Sequence, residues 1–179
     1  MIETKLIYQR AARYGVPMGL YLSLLSVAVV FSDRATLLPV LALVLIVCWP
    51  LAIYRIQRRE HLAAGGAMPY AGLWLMGIMT VVCGSLICAL ATCGVITALR
   101  PDFIYEQMQE ALNIYRQVPE MRGSEMLTVM QQATDRGMLP SPIEYVMQMF
   151  WLTSFAGSVI SAVLAFVAMK LPAHRGGKI

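Results

Sequence analysis

From Ala71 to Leu99 the chain runs for 29 residues without one charged side chain. About 20 apolar residues are enough for a helix to cross a hydrocarbon core of roughly 30 Å, so this stretch is read as a membrane-spanning helix. Three other stretches read the same way: Tyr14 to Phe31, Leu37 to Tyr54, and Tyr145 to Met169. Composition agrees. The chain of 179 residues is 59% hydrophobic and 13% charged, with a mean hydropathy of +0.66. Soluble domains carry about 45–50% apolar and about 25% charged residues. Half the usual charge cannot wet a soluble globule of this size. A soluble enzyme, a disordered chain and a nucleic-acid-binding domain are excluded on that ground, despite a pI near 9.0.

The first two spans are separated only by Ser32-Asp33-Arg34-Ala35-Thr36, a turn short enough to force an antiparallel hairpin. Pro39 falls in the first turn of the second span, where its missing N–H costs little, whereas Pro50 falls inside it. A re-entrant segment is the alternative there, and four full crossings are preferred. The N-terminal stretch is expected to act as a retained signal anchor, since its apolar run is long and three more spans follow.

Charge predicts the orientation. The segments before span one, between spans two and three, and after span four hold nine basic residues against Glu3 and Glu60, a balance of +7. The opposite side carries −3. Both termini are therefore expected in the cytoplasm. Trp49, Tyr54, Tyr70 and Trp74 mark one interface, and Tyr145, Phe150 and Trp151 the other. The segment Arg55-Ile56-Gln57-Arg58-Arg59-Glu60-His61 is read as a basic loop, with Arg55, Arg58 and Arg59 against anionic headgroups.

About 45 residues, from 100 to 144, separate spans three and four. Pro101 and Asp102 suit a helix start. Ile104, Met108, Ala111, Leu112, Tyr115 and Val118 then recur on one face, with Glu106, Glu110, Asn113 and Arg116 opposite. A second amphipathic helix is expected from a Ser124 cap to a Gly137 stop, with Met126, Val129, Met130 and Ala133 as its apolar stripe. Ile104, Met108, Tyr115, Met126 and Met130 are the candidates for a partner-binding face, because methionine-rich stripes adapt to varied surfaces.

Little in the sequence points to chemistry. No ionisable residue is expected inside any span, where one would mark an ion path or proton relay. Cys48, Cys83, Cys88 and Cys93 form no C-x-x-C pair. Glu106 and Glu110 sit one turn apart but read as a solvated helix face. No metal, cofactor or catalytic residue is expected. In span four, Ser154, Gly157, Ser158, Ser161 and Ala165 form a small-residue face suited to close helix packing or to a membrane partner. Gly19-Leu20-Tyr21-Leu22 echoes Gly72-Leu73-Trp74-Leu75, which would suit two tandem hairpins in a parallel repeat.

Ala12-Arg13-Tyr14-Gly15 ahead of a glycine-bearing span, the Arg55-Ile56-Gln57-Arg58-Arg59 segment, and the stretch from Phe103-Ile104-Tyr105 to Asn113 are together similar to a bacterial family of four-span inner-membrane proteins. That family is catalogued as a domain of unknown function, and the likeness covers roughly residues 5–170. It implies a bacterial inner membrane and a periplasmic segment between spans three and four. It also implies a neighbourhood of polyprenol-phosphate glycosyltransferases, hence envelope glycan work.

The reading is thus an all-α polytopic membrane protein. It has four transmembrane helices and a periplasmic amphipathic helical hairpin between the last two. The expected role is a non-enzymatic accessory or scaffold subunit of an envelope assembly. Its expected partners are membrane lipids, a membrane protein such as such a glycosyltransferase, or a second copy, and not nucleic acid. The alternative is a small transporter or lipid-carrier translocator, whose path Ser23, Ser26, Thr80, Ser85, Thr92 and Ser154 would line.

Overall fold

A computed structural model describes residues 4–117, 125–136 and 138–170, without the side chains of 4–8, 125–127, 133 and 135. Its elements are all helices: α1 (Thr4–Val30), α2 (Leu38–Ala63), α3 (Tyr70–Leu99), α4 (Phe103–Gln117), α5 (Glu125–Asp135) and α6 (Pro142–Lys170). Four are long and apolar enough to cross a membrane, over Gln9–Val30, Leu38–Ala63, Tyr70–Leu99 and Pro142–Lys170. These are the helices of a multi-pass membrane protein. The expected caps Ser124 and Gly137, the stripe residue Val118, the side chains of Met126 and Ala133, and the basic tail beyond Lys170 lie outside the described residues.

The chain divides into two compact units, Met1–Thr92 with Met149–Ile179, and Cys93–Gln148. In the first, α1 and α2 pack as the antiparallel hairpin that the short turn demands, with Arg34 N–H donating to Phe31 O and Leu38 N–H to Ala35 O at 3.0 Å. Pro39 opens α2, and the helix continues through Pro50 to Ala63 rather than turning back. α3 runs parallel to α1. Residues Gly15 and Cys83, Gly84 and Met18, and Ser26 and Thr92 meet in register. α6 runs antiparallel to α3, pairing Tyr70 with Ala162, Trp74 with Ser158, and Ser85 with Ser154. Met18, Leu22, Ile53 and Val81 form one core cluster. Ala11, Met68, Leu73, Met76 and Ala165 form another.

One expectation is corrected here. Arg55 to His61 is the last part of α2 and not a loop, because the helix stops only at the glycine pair beyond it. Gly65 and Gly66 both take positive φ, 64° and 79°, and Gly66 N–H closes back on His61 O at 2.9 Å. That is the glycine-dependent helix stop. Within their expected bounds the spans hold no Asp, Glu, Lys, Arg or His, but the helices reach further and carry such groups at their ends: Arg10 and Arg13 in the first, Arg55, Arg58, Arg59, Glu60 and His61 in the second, and Glu144 and Lys170 in the last. Such residues are tolerated near helix ends, where long side chains reach the interface.

In the second unit, α4 and α5 pack together. Pro101 and Asp102 are turn residues just ahead of α4, and Glu106 N–H donates to Asp102 O at 2.9 Å. α6 begins at Pro142, three residues before the expected start. Ser141 N–H donates to Glu144 Oε2 at 2.8 Å while Glu144 N–H donates to Ser141 Oγ at 3.3 Å. This reciprocal capping box, with proline at the first helical position, sets the start of the helix.

Candidate functional site

In an apolar interior, a polar side chain must find partners within the protein, and the pairs that result locate any site. In the first unit, two such sets centre on α2. Gln57 is fully buried. Its Nε2 donates to Ser161 Oγ at 2.7 Å, to Ser161 O at 3.1 Å and to Leu73 O at 3.4 Å, so one amide ties α2 to α3 and α6. Ser161 Oγ in turn reaches Trp74 O at 3.4 Å. Among the described residues, nothing hydrogen-bonds to the buried Gln57 Oε1. Gly77 makes room for this junction, since a Cβ there would overlap Ser161 Oγ and stand 2.5 Å from Gln57 Nε2.

One turn further along α2 is a buried carboxylate. Glu60 is 6% exposed; its Oε2 accepts from Arg10 at 2.6 Å and its Oε1 from the Tyr14 hydroxyl at 2.7 Å. The N-terminal end of α1 is thereby fastened to the C-terminal end of α2. Burial of a carboxylate is costly unless it is paired and hydrogen-bonded, and here both oxygens are engaged. Arg58 donates to the Tyr54 hydroxyl at 3.1 Å and stands 6.0 Å from that ring's centroid, whereas Arg55 and Arg59 are exposed.

The small-residue face of α6 is turned into the first unit. Ser161 and Ala165 are fully buried, and Gly157 is packed against Val81 so tightly that a Cβ would overlap it. Ser154 pairs with Ser85 at 3.0 Å, and the Ser158 carbonyl accepts the Trp74 indole N–H at 3.3 Å. Helix packing within the chain therefore occupies this face. The hydroxyls expected to line a path are likewise engaged. Ser26 pairs with Thr92 at 2.7 Å, while Ser23 and Thr80 bond to the carbonyls of Gly19 and Met76. The Gly19 and Gly72 tetrapeptides do not occupy equivalent environments. Gly19 abuts Ile87 of α3, whereas Gly72 meets Met68 and Pro69 just before it; Leu20 is exposed and Leu73 buried.

In the second unit, α4 buries Phe103, Ile104 and Leu112, with Met108 and Tyr115 half-buried. Met130 is half-buried and Val129 exposed, so Val129 does not belong to the buried stripe of α5. Arg100 is buried; it pairs with Glu106 and lies 5.7 Å from the Phe103 ring, which meets Tyr145 edge-on at 6.0 Å. Among the described residues no group of three or more His, Cys, Asp or Glu could hold a metal ion, and all four cysteines are free thiols.

Four features were missed in the sequence: the buried amide of Gln57, the carboxylate of Glu60, the guanidinium of Arg100, and the approach of α1 to α3 at Gly15 and Gly19. The last had a signal, since Gly15-Val16-Pro17-Met18-Gly19 is a G-x-x-x-G spacing. Gln57 and Glu60 had a weaker one, a three-residue spacing that puts both on one face once the segment is read as helix.

A family model described as "Protein of unknown function (DUF4199)" matches residues 13–170. The chain belongs to that family. No curated protein and no solved structure matches it.

Proposed function

We propose that this DUF4199 member is a non-enzymatic accessory or scaffold subunit of a cell-envelope assembly in a bacterial inner membrane. In this reading both termini are cytoplasmic and α4 and α5 are periplasmic, as the distribution of Lys and Arg favours. Exposed apolar side chains on those helices carry the proposal. Ile114 of α4 is 56% exposed and Val129 of α5 63%. Neither lies in a candidate span. Apolar groups left in water favour burial against another surface, at about 25 cal/mol per Å². The partner in this reading is a membrane protein with its own periplasmic surface; a polyprenol-phosphate glycosyltransferase is the candidate.

The interior supports the same reading over a translocator. The hydroxyls that a polar path would use are spent on each other and on helix carbonyls, which favours a packed bundle. The test is co-purification from native membranes of the wild type and of Ile114→Glu and Val129→Glu. Both variants should keep their melting temperature and lose the partner. Retention of the partner by both, or flux across vesicles lost on Ser26→Ala or Thr92→Ala, would contradict the proposal.

A further inference from the structure

α2 carries a proline inside the helix at position 50, and proline has no N–H to return to the Ile46 carbonyl one turn back. The two halves that meet there are held differently. After the proline, Ile53, Gln57 and Glu60 are buried, and the last two are hydrogen-bonded to α1, α3 and α6. Before it, from Leu38 to Trp49, Ala42 is the one buried residue, while Leu41, Leu43, Val44, Ile46 and Val47 are exposed. Among the described residues, one side-chain hydrogen bond ties this half to a neighbouring helix: the Tyr21 hydroxyl of α1 donates to Leu45 O.

Lipid tails are as apolar as leucine, so burial of apolar side chains supplies little force between helices in a bilayer. Polar bonds and the close approach of small residues decide which contacts persist. By that measure the second half of α2 is fixed by Gln57 and Glu60, and the first half is held by one hydroxyl and one alanine. The missing backbone bond lies between the two, and proline is where helices bend. At 1.5 Å per residue the first half is about 18 Å long, so a tilt of about 20° carries its far end about 6 Å. Residues 33–37 of the turn to α1 are all exposed, which leaves room for that displacement.

We propose that α2 is a hinged helix whose first half parts from α1 about Pro50 and closes again, with the hydrogen bond from Tyr21 to Leu45 O as its latch. The second half stays in place. Around the pivot, Leu25 and Trp49 pack with Met18, Leu22 and Ile53. The seam that parts is therefore apolar, and lipid tails fill it without opening a polar path. The motion is independent of whether a protein partner binds elsewhere.

The experiment is double electron–electron resonance on the full chain in lipid nanodiscs. Nitroxides are attached through ketone-bearing residues, so the four native cysteines stay in place. One label pair, Leu43 with Leu90, spans the first half of α2 and α3; the other, Arg55 with Leu90, spans the second half and α3, and all three positions are exposed. The Leu43 pair should show a shorter and a longer distance. Tyr21→Phe should raise the longer population about threefold, the effect of one interhelical hydrogen bond lost in a membrane. Pro50→Ala, which restores the backbone bond, should leave the shorter distance alone. The Arg55 pair should give one distance throughout. Circular dichroism verifies that each variant keeps its helix content. A longer population that Tyr21→Phe does not raise, one that persists in Pro50→Ala, or an equal spread of distances in the Arg55 pair would each overturn the proposal.

Discussion

At the scale of single residues, the bundle is specified by polar side chains and by the glycines that admit them. Gln57 replaces several apolar contacts with one amide shared among three helices, and Gly77 is the space that lets Ser161 reach it. Gly77→Ala should therefore destabilise the protein by about 1–3 kcal/mol, the usual cost of overpacking a tight interior. Gly94, whose added Cβ would meet nothing within 4 Å, should accept alanine without loss. Chemical denaturation in mixed micelles checks both. The hydrogen bond itself is worth less: a double-mutant cycle on Gln57→Leu and Ser161→Ala should give a coupling of about 0.6 kcal/mol and at most about 1.7. A coupling near zero would mean that the helices are held by packing alone. Little of this detail was legible beforehand, because a lone Gln among arginines looks like part of a solvated segment until the segment is read as helix. Only the length of the helix reveals that it faces inward.

At the scale of elements, the sequence reading succeeded where one physical signal dominated and failed where two competed. Hydropathy alone defines α3, and its ends were read to within one residue of Tyr70–Leu99. The 3.6-residue period alone defines the buried face of α4, and Ile104 and Leu112 are indeed buried. In α2, apolarity ends near Tyr54 but helical conformation persists to Ala63, because the stop is a backbone event at Gly65 and Gly66. Hydropathy marks the end of the lipid and not the end of the helix. The same confusion shortened α6, whose start is set by the Ser141–Glu144 capping box. Disabling that box with Ser141→Ala should cost about 1 kcal/mol and fray the first turn of α6, seen as faster amide exchange from Ile143 to Val146. Glu106→Gln should loosen the start of α4 in the same assay by removing an ionic partner of the buried Arg100, while leaving exchange in α1 unchanged. Unchanged protection in α4 would show that the apolar face holds it without the ion pair.

At the scale of the whole molecule, the two units divide the labour. The first spends small residues and hydroxyls on internal packing, so Ser161, which would be a natural handle for a membrane partner, is already bonded and buried within the chain. Ser161→Leu should therefore prevent folding rather than selectively release a partner, and expression with a monodisperse elution profile is the readout. Among the described residues, the outward surface includes apolar side chains of the membrane helices and the exposed Ile114 and Val129 of the second unit. A chain built in this way fits a part that others assemble on. The measurement that bears most directly on this account is native mass spectrometry of the protein released gently from its own membranes. The account predicts a stoichiometric complex with a membrane protein, lost on Ile114→Glu combined with Val129→Glu. A lone monomer or homodimer, unaltered by those substitutions, would contradict it.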